Sequence, residues 1–160
     1  MNQPQRLRAE LPEGFDMHKV EWRQFTGDDA FDYPIDYALG VISADAAAGR
    51  IDFLARWAPH AYCHYHRHLG HTATLLVDGE QHLVETHGHE SVHKIRQAGF
   101  RGTTPDGETH MEFAGPHGLT ILFSVYAEDG RLFELLDRRD QVIAVATIDD
   151  LVQNRLGKAA

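Results

Sequence analysis

The strongest constraint on the fold is a rhythm of short runs. From residue 37 onward, apolar or alternating stretches recur at close spacing, each closed by Gly, Asp or Pro. Runs of this length, bounded by turn formers, describe strands and not helices. They predict strands at Tyr37–Ser43, Arg50–Trp57, Tyr62–His68, Thr72–Val77, Gln81–Glu85, His93–Gln97, Leu119–Tyr126, Leu132–Leu136 and Val142–Ala146. Val77-Asp78-Gly79-Glu80 places Asp-Gly between two runs, the sign of a tight hairpin, and Glu128-Asp129-Gly130-Arg131 repeats it. Helix is predicted only at Ile148–Leu156, where Thr147 and Asp150 form a capping pair. Ala44–Ala48, closed by Gly49, predicts a turn or a single helical turn. Many short strands with one helix imply an all-β sandwich or small barrel. At 160 residues the chain fits one domain, expected over residues 17–160. Residues 1–16 are polar, carry Pro4, Pro12 and Gly14, and predict an N-terminal arm that orders only by docking.

Composition narrows the function. A formal charge of −9 disfavours nucleic acid and anionic membranes, which require a basic footprint. The one cysteine, Cys63, excludes an internal disulfide framework and a Cys-rich zinc module. No run approaches the roughly 20 apolar residues that span a bilayer, and the first residues lack an apolar leader, so a cytoplasmic location is expected. Histidine is the outlier, with 12 in the chain. Imidazole is the commonest metal ligand.

The densest chemistry lies in His60-Ala61-Tyr62-Cys63-His64-Tyr65-His66-Arg67-His68-Leu69-Gly70-His71. On an extended strand His60, His64, His66 and His68 share one face, and Cys63 turns to the other as a packing residue. Same-face neighbours stand roughly 6.6 Å apart, close enough for two imidazoles to lean onto one ion. His64 and His68, roughly 13 Å apart, are too distant. The spacing leaves two metal pairs open, His64/His66 and His66/His68. A further histidine, His110, follows the turn Pro105-Asp106-Gly107 and can return across a barrel towards that pair.

These segments resemble the two motifs of the cupin superfamily, over about residues 50–126. The second motif, G-x5-P-x-G-x2-H-x3-N, is met by Gly99, Pro105, Gly107 and His110, with Ala114 in place of the final Asn. The first, G-x5-H-x-H-x(3,4)-E-x6-G, fits His66 and His68 with Gly79 in register; His60 replaces the leading Gly, and Thr72 replaces the Glu. The resemblance implies a small β-barrel, the double-stranded β-helix or jelly roll, with a short C-terminal helix. It implies His66, His68 and His110 as ligands, with His64 as the alternative.

The absent Glu resembles the three-histidine cupins, notably the acetylacetone-cleaving dioxygenase. Pro105-Asp106-Gly107-Glu108-Thr109-His110 is similar to the corresponding segment of dihydroxyacetophenone dioxygenase-like proteins. That resemblance implies Fe(II), with Zn or Ni as purified, and O2 as co-substrate. The implied reaction is cleavage of a C–C bond next to a carbonyl in a small β-diketone or hydroxyacetophenone-like substrate, chelated as its enolate. Three neutral imidazoles would leave the full +2 charge to attract that enolate. His64, His71 and Glu112 are candidate helpers in catalysis, and Glu112, two residues beyond His110 and on the same face of an extended run, is also a candidate carboxylate ligand or base; Trp57, Thr72, Phe113 and Phe123 are candidate pocket walls. The competing expectation is a non-catalytic cupin that senses a small molecule or zinc. By family analogy the chain is expected to form a homo-oligomer, a dimer before a tetramer. His82, His87, His89 and His93 flank Gly88 in a stretch expected to be an extended, solvated hairpin.

Overall fold

The computed structural model describes residues 7–29 and 31–153. A 3-10 turn at Met17–Lys19 precedes β1 (Arg23–Thr26), β2 (Asp36–Asp45), β3 (Arg50–Trp57), β4 (His66–His68) and β5 (His71–His87). There follow β6 (Glu90–Gln97), β7 (Arg101–Thr104), β8 (Thr109–Tyr126), β9 (Arg131–Leu136), β10 (Val142–Thr147) and helix α1 (Ile148–Val152). The strands form one curled antiparallel sheet in the order β1-β2-β3-β8-β4-β9-β10, and β5 pairs with β6, β7 and β8.

Two long strands govern the curl. β8 pairs with β3 along Leu119–Tyr126 and with β4 at Thr109 and His110. β5 runs beside β8 along nearly its whole length, with register shifts between Leu76 and Asp78 and between Gly79 and Gln81. Asp78-Gly79 is therefore not a hairpin. The strand continues through it, and Gly79 (φ +84°) absorbs a bulge that bends the sheet. A β-carbon there would lie 2.1 Å from the Gly118 carbonyl oxygen, so the crossing requires glycine. The second Asp-Gly site does make a turn, Gly130 N–H donating to the Ala127 carbonyl at 2.9 Å. It does not join paired strands, because β4 lies between β8 and β9.

Other expectations differ in extent. The strand expected at Tyr62–His68 is reduced to His66–His68, since His60 is left-handed (φ 61°) and Tyr62 makes only isolated bridges to Ile35 and Phe113. β1, β7 and the first half of β8 carry too little apolar alternation to be seen in the sequence. Arg50–Trp57 is a strand with the expected bounds, and residues 46–49 turn as expected. The hairpin about Gly88 joins β5 to β6. α1 has its capping box, Thr147 accepting from Asp150 N–H and Asp150 from Thr147 N–H, but ends at Val152; residues 154–156 of the expected helix lie outside the described residues.

Apolar side chains fill both faces of the central strands. Inside the curl lie Tyr37, Ile51, Phe53, Trp57, Ile121 and Phe123. On the outer face Leu54, Ala73 and Leu122 pack against Ala9, with Leu7, Leu11 and Phe15 around them. The described part of the expected arm, residues 7–16, lies on this second face, where the Arg101 guanidinium donates to the Ala9 carbonyl at 2.8 Å. Among the described residues no helix is long and apolar enough to cross a membrane.

Candidate metal centre

β4 is three residues long, and alternation turns His66 and His68 inward while Arg67 points out to Glu134, 2.8 Å away. The antiparallel pairing of His66 with His110 on β8 brings the third imidazole opposite. The three Nε2 atoms form a triangle with sides of 3.3 Å (His66–His68), 3.0 Å (His68–His110) and 2.9 Å (His110–His66). Ligands about 2.1 Å from one ion and at right angles to each other stand about 3.0 Å apart, and tetrahedral ones about 3.4 Å. The triangle fits one ion and is nearer the first arrangement.

Each ring is oriented from behind. His66 Nδ1 donates to the His64 carbonyl at 2.8 Å. His68 Nδ1 donates to Thr72 Oγ1 at 3.1 Å, and the Thr72 hydroxyl is itself committed to the Gly70 carbonyl at 3.2 Å. His110 Nδ1 donates to Glu108 Oε1 at 3.1 Å. With all three Nδ1 protons committed, the three Nε2 atoms converge on one point.

A carboxylate joins them. Glu112, two residues beyond His110 on β8, is buried with Oε1 2.9 Å from His110 Nε2 and 3.9 Å from His66 Nε2. His66, His68, His110 and Glu112 form one compact four-donor cluster. Gln81 hydrogen-bonds Glu112 from β5. The cluster is thus not histidine alone, and Glu112 takes the inward place that its two-residue spacing from His110 allowed. Thr72 occupies the motif position of Glu and supports His68, and an acid from another strand brings negative charge. A divalent ion on these donors would keep about one positive charge instead of two.

Electrostatics follow from burial and from these acids. Burial, then repulsion from neighbouring imidazoles, lowers His66 to about 4 and holds His68 well below its ordinary value. Burial also opposes charge on His110, but hydrogen bonds and charge from Glu108 and Glu112 outweigh it and raise His110 to about 9. Burial works against the Glu112 carboxylate as well, yet the His110 contact holds it below its usual range. Without metal, one proton therefore rests between His110 and Glu112, while His66 and His68 stay neutral.

The cluster faces a cavity walled by Leu39, Phe53, Trp57, Phe123, Val125 and Phe133. Among the described residues no lysine or arginine lines it. Trp57, Thr72 and Phe123 lie where the sequence places them. His64 lines the cavity but stands apart from the donor triangle; its Nδ1 accepts from Tyr37 Oη at 2.8 Å, and Phe31 meets the ring edge-on. The structure thus brings His66 and His68 together with His110 and leaves His64 outside the cluster.

Two candidates face elsewhere, because alternation sends the neighbours of inward residues outward. His71, beside inward Thr72, is exposed near Asp106 and Tyr126. Phe113, beside inward Glu112, stacks between Tyr62 and His82 outside the cavity, 4.6 Å from each ring. Cys63 also differs from expectation. It precedes β4 in irregular chain, so strand alternation does not apply, and it lines the cavity with Sγ 3.8 Å from His66 Nδ1. Burial, and next the Glu112 charge, pushes its thiol well above the usual value, so it stays protonated. Nothing in the sequence points to Tyr37 or Gln81, and Glu108 carries a signal only in its i, i−2 spacing from His110.

No protein-family model matches the chain, and no curated protein matches it. Solved structures do. An RmlC-like cupin protein from Ralstonia eutropha JMP134 superposes with a TM-score of 0.65 at 18% identity, covering 88% of this chain and 81% of that one. An acetylacetone dioxygenase from Acinetobacter johnsonii gives 0.65 at 14% identity, covering 95% and 94%. Oxalate decarboxylase from Lactobacillus farciminis gives 0.56 at 14% identity, covering 95% of this chain and 39% of that one. At such identities the likeness concerns the fold, which these neighbours put to different reactions.

Proposed function

We propose that this chain, whose fold is that of the cupins, is a mononuclear non-haem iron dioxygenase. In this proposal it cleaves a C–C bond next to a carbonyl in a small β-diketone or hydroxyacetophenone-like substrate. The observation that carries the proposal is the convergence of three imidazole Nε2 atoms whose rings are each fixed by an Nδ1 hydrogen bond, so that loss of the one proton shared by His110 and Glu112 leaves three lone pairs on one point. His66, His68 and His110 would hold Fe(II), with Glu112 as fourth donor. Bound iron would supply Lewis acidity towards a chelating enolate and an electron route to O2.

The chain's own residues account for the rest. Apolar walls exclude water and favour a compact, largely uncharged substrate. Since no lysine or arginine lines the cavity among the described residues, the charge of an enolate would be met chiefly by the metal centre. Glu112 lowers the net charge of that centre and would tune how strongly the enolate is held. The Tyr37 hydroxyl donates to His64 Nδ1, which leaves the His64 proton on Nε2 of a ring that lines the cavity. His64 is thereby a candidate hydrogen-bond donor to substrate oxygen.

The test is metal content by elemental mass spectrometry on untagged protein, followed by O2 uptake with β-diketones and hydroxyacetophenones. About one iron per chain, lost in His66→Ala, His68→Ala and His110→Ala but retained in His64→Ala, with substrate-dependent O2 uptake, is the expected result. One observation favours a second function, a non-catalytic metal-binding sensor: Glu112 makes four donors, the number that closes a structural zinc site. Tight zinc with no O2 uptake by the iron-reconstituted protein would decide for it.

A further inference from the structure

Outside the barrel a second set of imidazoles is organised with equal care. His82 on β5 and His93 on β6 lie on the outer face of the hairpin, in registers that pair Val84 with His93 and His82 with Ile95. His82 Nδ1 and His93 Nε2 are 2.9 Å apart. The other His82 nitrogen, Nε2, donates to Glu80 Oε1 at 2.6 Å. Glu80 is held in turn, because Gln97 Nε2 donates to its Oε2 at 2.8 Å. It also rests over Gly115, where a β-carbon would come within 2.7 Å of Glu80 Oε1. The His82 ring lies flat on Phe113, 4.6 Å away at 17°.

We infer that His82 and His93, set by Glu80, form a peripheral binding site for a divalent transition-metal ion such as Zn(II) or Cu(II). Because His82 gives its Nε2 proton to Glu80, its Nδ1 carries a lone pair aimed at His93, which in the metal-free protein accepts from His93 Nε2–H; moving that proton to the exposed Nδ1 of His93 turns both nitrogens into donors for one ion. This carboxylate–histidine order is the one that fixes tautomer and ring direction in metal sites. The nitrogen separation matches two adjacent ligands at about 2.1 Å from one ion. His93 is exposed, so water completes the coordination. The site is separate from the central cluster: Glu112 faces inward and Phe113, under His82, faces outward. It does not rest on the proposed dioxygenase activity.

The experiment is calorimetric titration of Zn(II) into protein already carrying one zinc per chain at the central cluster, with Cu(II) electron paramagnetic resonance as a second readout. A second, weaker equivalent is expected, with two nitrogens in the copper spectrum. His93→Ala, and His82→Phe (which keeps the stacking on Phe113), should each remove that equivalent and leave the first intact. Glu80→Gln should weaken it about tenfold or more. His66→Ala should abolish the tight equivalent and spare the weak one. Absence of a second equivalent, or its survival in both His93→Ala and His82→Phe, would overturn the inference.

Discussion

Loading the central cluster with metal should release one proton per chain at neutral pH. The proton is that of His110, raised to about 9 by Glu108 and Glu112 against the effect of burial. It sits on Nε2, 2.9 Å from Glu112 Oε1, where the metal must bind. At pH 7 only about one chain in a hundred has this nitrogen free, so apparent affinity is about a hundredfold below its alkaline limit, or about 2.7 kcal/mol. Affinity should therefore rise nearly tenfold from pH 7 to pH 8. No other donor contributes: His66, at about 4, and His68 are already neutral, and Glu112 is already ionised. Titration of the metal-free protein with Zn(II), in buffers of different ionisation enthalpy, counts the released protons. For the tight equivalent the expected value is near one, and in Glu112→Gln it falls, because one of the two acids that hold the proton is gone. Less than about half a proton in the wild type, with an affinity flat between pH 7 and 8, would refute this assignment of charge.

Three further outcomes follow from the same structure. His66 is lowered from 6.5 to about 4, so the unfolded chain binds the proton more readily; as pH falls from 6.5 towards 4 His66 alone should cost metal-free protein about 3 kcal/mol, and His68, lowered too, adds to the loss, measured by urea unfolding. Gly79→Ala should cost more than about 2 kcal/mol, since it combines a left-handed backbone with a β-carbon 2.1 Å from the Gly118 carbonyl oxygen; an unchanged urea midpoint would show that the bulge can relax. Leu54→Ala, at a fully buried position between the sheet and the docked N-terminal segment, should cost about 3 kcal/mol, and a loss below 1 kcal/mol would mean that this outer layer collapses freely around the gap.

The strand-dominated class and the cap of α1 were legible in the chain alone, because alternation and turn residues mark strands and Thr147 and Asp150 meet within one helical turn. Alternation placed His64, His66 and His68 on one face and left the pairs His64/His66 and His66/His68 open; the likeness to the cupin motifs favoured His66 and His68 and added His110, three of the four residues that the structure brings together. Relations between distant segments were not legible. Alternation states which residues share a face, but not which face is inside, so Phe113 and His71 turned outward when Glu112 and Thr72 turned in. Where no strand forms, alternation says nothing, and Cys63 therefore reached the cavity. An Asp-Gly pair reports a left-handed residue, which serves a hairpin or a bulge equally; only the continuous pairing of β5 with β8 decided for the bulge at Gly79. Two-residue spacing put Glu112 on the face of His110, but whether either reaches His66 and His68 was left to tertiary structure. Both enter the cluster because β4 and β8 pair at His66 and His110, a contact between residues 44 positions apart in the chain.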